Sequence, residues 1–183
     1  MVIEDKWVDL KDGRKVLIRN PREEDIEAML KYIRASAEET EFLNRAPEDF
    51  DRYTYEGEKE IFKKWNESEN DLALVGIVDG KLAGNCQIVF FDRKKIRHRA
   101  SIGIAFTTEF WGLGIGSAFL QELIDAAKAR PEMRQIELEF VEGNSRARAL
   151  YEKMGFRITG VRPNAVRLKD GTFVNEYMMV KEL

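Results

Sequence analysis

The segment Trp111-Gly112-Leu113-Gly114-Ile115-Gly116-Ser117 places three alternating glycines between two stretches of different hydrophobic period. Residues 100–106 before it alternate as in a β-strand, whereas residues 115–127 after it carry apolar side chains at the spacing of an α-helix. Glycine lets such a junction bend tightly and approach a ligand without a Cβ in the way. The first N–H groups of the helix and its dipole favour an anion there. We therefore predict a pyrophosphate site at this loop, although a turn that only requires glycine would look the same.

Three phosphate-binding classes compete for this glycine loop. A nucleotide-hydrolysing P-loop ends in Gly-Lys-Ser or Gly-Lys-Thr, and Gly116-Ser117-Ala118 has no lysine to reach the terminal phosphates. A dinucleotide-binding loop requires glycine where Ser117 stands, although Glu137 or Glu139 could act as its ribose-binding acid. The third ligand is coenzyme A. The residues exclude the P-loop and leave the dinucleotide as an alternative.

Three Asp-Gly pairs punctuate the rest of the chain, at positions 12–13, 79–80 and 170–171. This dipeptide supplies the positive φ angles that tight hairpin turns require. We predict hairpins that join residues 7–10 with 15–19, 72–78 with 82–91 and 166–168 with 172–180. A further strand is predicted over residues 135–140.

Helical patterns alternate with these strands. Asn20 and Pro21 are typical of a capped helix start, and Ile26, Met29 and Ile33 then share one face. Shorter helices are predicted at residues 58–65 and from the cap residue Asn144 to Gly155. Residues 36–55 are acidic and irregular, which favours a mobile connection. We expect one α+β domain over residues 1–183.

The bulk composition excludes several classes of protein. The net charge of −3 provides no basic field for a nucleic-acid partner, and no apolar run reaches the roughly 18 residues that a membrane helix needs. The polar start of the chain and the single cysteine, Cys86, favour a cytoplasmic protein without disulfides. Cys86 lies in an apolar strand without a partnering histidine, so we expect it to pack, and we expect no metal site.

The glycine loop is followed by Asn144 and by Leu150-Tyr151-Glu152-Lys153-Met154-Gly155-Phe156. Because the glycine loop, Asn144 and this segment follow one another in this order and spacing, residues 100–160 resemble the GNAT N-acetyltransferases. That family has a Q/R-x-x-G-x-G/A loop and a Leu-Tyr-x-x-x-Gly-Phe signature. Trp111 stands where the family has Gln or Arg, which puts a side-chain contact to phosphate in question but leaves the main-chain contacts. The resemblance implies a mixed, mostly antiparallel central sheet flanked by about four helices, acetyl-CoA as co-substrate, and a possible homodimer.

The resemblance also implies roles for individual residues. Strand N–H groups would bind the pantetheine arm, with one facing the thioester oxygen where the strand bulges. The glycine loop would hold the diphosphate, and Asn144 would reach the coenzyme while capping its helix. Tyr151 would donate a proton to the leaving sulfur, although its helical spacing alone predicts a core aromatic. The candidate coenzyme-binding residues are Ile104, Ala105, Phe106, Trp111, Gly112, Leu113, Gly114, Ile115, Gly116, Ser117, Asn144 and Tyr151.

The general base is missing from the position that resembling proteins use. Many of them carry a glutamate early on the strand before the glycine loop, where this chain has Ala100 and Ser101. His98 is a candidate base, although it lies in the basic run 93–99, which favours a solvated hairpin end. Glu39 and Glu41 are candidates for attracting a cationic amine, with a solvent-facing charge run as the alternative.

The function that the resemblance implies is transfer of an acetyl group from acetyl-CoA to a small-molecule amine or a protein N-terminus. Two other functions remain open from the residues. The absent glutamate is compatible with a non-catalytic acyl-CoA-binding regulatory module, and the glycine loop is compatible with a dinucleotide-binding oxidoreductase.

Overall fold

Eight strands form one sheet in the computed structural model, which describes residues 1–183. Their bounds are β1 Lys6–Asp9, β2 Lys15–Arg19, β3 Asp71–Val78, β4 Lys81–Phe90, β5 Arg99–Phe106, β6 Gln135–Val141, β7 Arg157–Arg167 and β8 Phe173–Glu182. The four helices are α1 Ile26–Glu39, α2 Tyr55–Glu67, α3 Ile115–Lys128 and α4 Ser145–Lys153.

The strand order is β1-β2-β3-β4-β5-β6-β8-β7. Six neighbouring pairs are antiparallel, and only β5 and β6 run parallel. This parallel pair is joined through α3, since parallel strands need a crossover connection. The predicted α+β class, with a mostly antiparallel sheet and four helices, is confirmed.

The three predicted hairpins are present as β1–β2, β3–β4 and β7–β8. At the middle one, Asp79 and Gly80 both have positive φ, 49° and 76°, as the Asp-Gly pattern predicted. The last hairpin is longer than predicted, because β7 begins at Arg157, directly after the turn that ends α4. Its two register irregularities lie between Ile158 and Gly160 and between Arg162 and Val166.

Two hydrophobic clusters cover the two faces of the sheet. The larger contains 26 buried residues and packs α3 and the Tyr151 turn of α4 against the central strands. The smaller, with 6 buried residues, packs α1 and α2 on the opposite face against Val75 and Leu82. Side chains alternate along each strand, so Cys86 and Ile104 face α3 while their neighbours Asn85 and Ala105 face α1.

The start of α1 differs from the prediction. Asn20 does not cap it, because its amide bonds to backbone groups of Ile3, Met1 and Ala73 and so ties the N-terminal segment to β3. A short 3₁₀ turn over Glu23–Asp25 precedes the helix instead. Asp25 forms a buried, two-point ion pair with Arg19, at 2.6 and 2.8 Å.

The segment predicted as an irregular connection, residues 36–55, is partly regular. Its first four residues complete α1, and Pro47–Phe50 form a 3₁₀ turn. Tyr55 already belongs to α2. The sequence pattern failed here because the side chains that order this segment contact distant strands. Asn44, for example, bonds to a carboxylate on β8.

One gap in the sheet positions the functional site. β5 and β6 are paired only at their first residues, up to Ser101 opposite Glu137. Beyond that point β5 stays with β4 as far as Phe106, while β6 stays with β8 as far as Val141. The two strands therefore diverge and leave an opening through the sheet.

Candidate active site

A cavity of about 650 Å³ occupies the opening between β5 and β6. Its lining comes from both faces of the sheet: the ends of β5 and β6, the glycine loop, α3 and α4 on one face, and α1 with residues 40–50 on the other. A ligand on one face can therefore meet a ligand that enters from the other.

The glycine loop forms one wall of this cavity on the α3 face. Gly112 and Gly114 have φ of 79° and 102°, values that strain any residue with a side chain. Gly114 is the N-cap of α3 and provides no side-chain bond, so the N–H groups of the first turn have no capping partner. Because Gly114, Gly116 and Ser117 line the cavity, these donors can meet an anion.

Gly116 has a second, steric reason to be glycine. A Cβ at this position would stand 2.7 Å from a methyl group of Leu150 on α4. The absence of a side chain therefore lets α3 and α4 approach each other at the cavity wall.

The end of β5 forms the second wall. Residues 104–106 line the cavity and have no partner on the β6 side, since the pairing with β6 stops at Ser101. The expected bulge is absent, because the register of β4 with β5 is continuous from Gly84 opposite Phe106 to Phe90 opposite Ala100. Divergence from β6, rather than a bulge, frees this strand edge.

Two residues of α4 complete the α3 face of the cavity. Asn144 caps α4, with its side-chain oxygen 3.1 Å from the N–H of Ala147, and its amide nitrogen remains available. Tyr151 packs its ring against Phe140 and Phe156, each at a centroid distance of 6.1 Å. Its hydroxyl has no hydrogen-bond partner within the protein, and the residue lines the cavity. Burial raises the pKa of Tyr151 to about 12, so the phenol is protonated at neutral pH.

Trp111 is oriented by its surroundings. Its indole N–H donates to the carbonyl of Phe106 at 3.2 Å, which leaves no donor for a phosphate. The guanidinium of Arg146 lies 4.9 Å from the centre of the Trp111 ring. No sequence pattern points to Arg146, because an arginine in the first turn of a solvated helix is not distinctive.

The α1 face of the cavity carries a row of polar side chains beside apolar residues of α1 and residues 40–50. The hydroxyl of Tyr32 donates to the side chain of Asn85 at 2.9 Å, and Gln87 continues this row along β4. Opposite them stand two carboxylates, Glu139 on β6 and Glu176 on β8.

Glu139 and Glu176 belong to one charged cluster. Arg162 on β7 contacts both, at 2.9 Å from Glu139 and in direct contact with Glu176, and Asn44 donates to Glu176 at 2.9 Å. Glu176 is only 3% exposed. With two acids and one arginine, the cluster carries a net charge of −1. The sequence pattern did not point to Glu176; its one signal was a carboxylate directly before the apolar run Tyr177–Val180.

Three predicted residues lie outside the cavity. His98 precedes β5, at the end opposite Phe106, and its carbonyl accepts the N–H groups of Arg134 and Gln135. Glu41 is exposed and accepts the N–H of Lys169. Leu113 faces the core, and its carbonyl accepts the N–H of Lys11.

Glu39, the other acidic candidate for attracting the amine, is also displaced. Glu39 accepts the N–H of Thr108 at 2.6 Å and does not line the cavity. The basic run 93–99 stands at the wrong end of β5 to reach a ligand in the opening, and two of its arginines pair with Glu132 and Glu137. The basic run is far from the cavity because the direction of β5 sends the two ends of that strand to opposite edges of the molecule.

Cys86 is buried on β4, and burial raises the pKa of its thiol well above the usual value. No group of three or more His, Cys, Asp or Glu side chains is arranged to hold a metal ion. None of the helices combines the length and the apolar character that crossing a membrane requires.

A family model for the acetyltransferase (GNAT) domain matches residues 15–157. The chain belongs to the GNAT family. Among its relatives, the L-amino acid N-acetyltransferase AaaT of Escherichia coli is 30% identical over 108 residues, which are 59% of this chain and 66% of that protein.

Solved structures of the GNAT family agree with this fold. The crystal structure of a GNAT acetyltransferase from Streptococcus pneumoniae has a TM-score of 0.84 and 29% identity, and the match covers 92% of this chain and 99% of that one. The yncA protein of Salmonella typhimurium, solved with acetyl-CoA, has a TM-score of 0.76 and 16% identity, and the match covers 92% of this chain and 94% of that one. At this identity the comparison shows a similar fold and nothing more.

Proposed function

We propose that this GNAT protein transfers an acetyl group from acetyl-CoA to an amine. The observation that carries the proposal is the two-sided cavity between β5 and β6. Its α3 face offers main-chain donors and a phenol, and its α1 face offers carboxylates. The first set suits a phosphorylated thioester, and the second suits a cationic amine.

The coenzyme would lie on the α3 face. The uncapped N–H groups of the first turn of α3 would bind the diphosphate, because a helix N-terminus favours anions. The free edge of β5 at residues 104–106 would pair with the amides of the pantetheine arm, as an added strand does. The amide nitrogen of Asn144 would donate to the same ligand. Acetyl-CoA supplies the activated acetyl group as a thioester.

In the reaction, the amine nitrogen attacks the thioester carbonyl carbon, and the bond from that carbon to sulfur breaks. The nitrogen loses one proton and the sulfur gains one. Tyr151 would donate its O–H to the departing sulfur, and an N–H group at the end of β5 would stabilise the developing oxyanion.

The raised pKa of Tyr151 constrains this step. A phenol with a pKa of about 12 does not transfer its proton favourably to the thiolate of a thiol with a pKa of about 8.5, since the difference in pKa corresponds to about 5 kcal/mol. Transfer becomes favourable when the phenol regains a proton from the acylated nitrogen in the same step. Tyr151 would therefore relay the proton of the amine to sulfur, and alignment matters more than acidity.

The acceptor would enter on the α1 face. The carboxylates of Glu139 and Glu176 would attract the ammonium form of the amine. Attack requires the neutral amine, so the rate should rise with pH through the pKa of the acceptor. Glu139 and Glu176 line the cavity, whereas Glu41 and His98 do not.

Calorimetric titration with acetyl-CoA, followed by an amine panel, tests the proposal. The panel holds L-amino acids, polyamines and peptides with free N-termini, and product is read by released thiol and by mass spectrometry. We expect binding together with acetylation of at least one class. Binding without acetylation of any amine would indicate a non-catalytic acyl-CoA-binding module, and absence of binding would refute the coenzyme site.

Replacement Glu176→Gln tests the acceptor side. The change preserves size and the contact from Asn44 but removes the charge. We expect the KM for a cationic acceptor to rise about tenfold, as for one lost charge-assisted contact, while the Kd for acetyl-CoA stays constant. The control is Glu137→Gln, on β6 but paired with Arg99 outside the cavity. Equal effects of the two variants would remove Glu176 from the acceptor site.

A further inference from the structure

Arg146 and Arg148 differ in a way that helix position alone does not explain. Both stand near the start of α4. Arg148 pairs with Glu152 at 2.8 Å, one helical turn away. Arg146 has no acidic partner and lines the cavity. A guanidinium without a counterion beside a cavity is a candidate anion ligand.

The Arg146 guanidinium lies between the Trp111 ring and Gly112. Its centre lies 4.9 Å from the centre of the Trp111 ring, and the indole is itself held by its bond to the carbonyl of Phe106. One terminal nitrogen lies 3.6 Å from the point that a Cβ of Gly112 would occupy. Stacking on an aromatic face restrains a guanidinium and leaves its in-plane N–H donors free.

The charges around this group are of one sign. Lys11 and Lys153 line the same cavity, and the main-chain carbonyl of Leu113 in the glycine loop accepts the N–H of Lys11. The only acids that line the cavity, Glu139 and Glu176, belong to β6 and β8 and face α1. The α3 face therefore combines an unpaired guanidinium, two amines and the uncapped donors of a helix N-terminus.

We propose that Arg146, held against Trp111, binds a phosphate group of the acyl-CoA ligand. Trp111 acts as a platform for the cation and makes no phosphate contact of its own. The inference rests on the proposed function, because it assumes a coenzyme on the α3 face. The shared chemistry is a phosphate, which is either the diphosphate or the 3′-phosphate of coenzyme A.

Calorimetric titration of purified variants with coenzyme A and with dephospho-CoA, which lacks the 3′-phosphate, tests the proposal without an activity measurement. We expect Arg146→Ala to raise the Kd for coenzyme A about tenfold and to reduce its dependence on salt. An equal rise with dephospho-CoA assigns the contact to the diphosphate. A rise with coenzyme A alone assigns it to the 3′-phosphate.

The control is Arg148→Ala, which removes the same charge from the same helix outside the cavity and should leave both dissociation constants unchanged. Trp111→Leu, which removes the platform, should weaken binding less than Arg146→Ala, and the double variant should bind no more weakly than Arg146→Ala alone. A wild-type Kd in the Arg146→Ala protein overturns the inference and leaves the proposed function standing. Failure of the wild-type protein to bind coenzyme A overturns the proposed function itself.

Discussion

The replacement Tyr151→Phe separates a chemical role for the hydroxyl from a packing role for the ring. The ring contacts Phe140 and Phe156, and phenylalanine keeps both contacts. The hydroxyl has no hydrogen bond within the protein, so its removal leaves no partner unsatisfied. We therefore expect the free energy of unfolding to change by less than about 1 kcal/mol.

The expected effect on catalysis is much larger. A hydrogen bond to a charged group contributes about 1.5–3 kcal/mol, and a developing thiolate is such a group. Each 1.36 kcal/mol is a factor of ten in rate, so kcat should fall roughly 10- to 150-fold. The Kd for acetyl-CoA should stay within about twofold, because the contact forms as the carbon–sulfur bond breaks.

The assay measures thiol release at saturating acetyl-CoA and amine, with calorimetry for the Kd and urea denaturation for stability. Tyr177→Phe is the matched control. Tyr177 stacks on the same Phe140 at 5.3 Å, but its hydroxyl bonds to Glu142 and does not line the cavity. Its replacement should leave kcat unchanged.

The pH profile gives an independent check on the same step. A proton donor acts in its protonated form, and its contribution is lost as pH rises through its pKa. With the pKa of Tyr151 at about 12, this group should produce no descending limb of kcat below about pH 10. A kcat within twofold of wild type for Tyr151→Phe would refute the relay. So would a descending limb near pH 8 that the same replacement abolishes.

Two further predictions concern stability. Burial raises the pKa of Glu58, whose Oε2 is buried without a hydrogen-bond partner. A carboxyl whose pKa is raised by folding destabilises the folded protein as pH rises above the pKa of the unfolded state. Glu58→Gln should therefore increase the free energy of unfolding in urea at pH 7, and this gain should vanish near pH 4. A gain that is as large at pH 4 as at pH 7 would contradict this cause. Asp25→Ala should lower the free energy of unfolding by about 3–5 kcal/mol, because it leaves the buried guanidinium of Arg19 without its ion-pair partner. Replacing both residues, as Arg19→Met with Asp25→Leu, should cost much less in the same measurement, and an equal cost would remove the ion pair as the cause.

The hairpins and the glycine loop were predictable because their signals are local. Each Asp-Gly pair supplies a glycine that adopts positive φ, at Gly13, Gly80 and Gly171, and in the middle turn Asp79 adopts it as well. Apolar spacing likewise placed α3, since six residues of its stripe are buried. The predicted start of α1 was wrong because the signal there is not local. The side-chain amide of Asn20 donates to the carbonyls of Met1 and Ala73, which no local sequence pattern connects to it.

The sequence by itself determined the succession of strands and helices along the chain, the turn at which α3 begins, and the two motifs that indicated the family. These features depend on neighbours within one turn of chain, so residue type and spacing are sufficient. The tertiary structure decided where β5 leaves β6, which side chains meet in the opening, and which charges remain unpaired. Glu139 and Glu176 face one side of that opening and Arg146 the other, because strand register and helix packing join segments far apart in the chain.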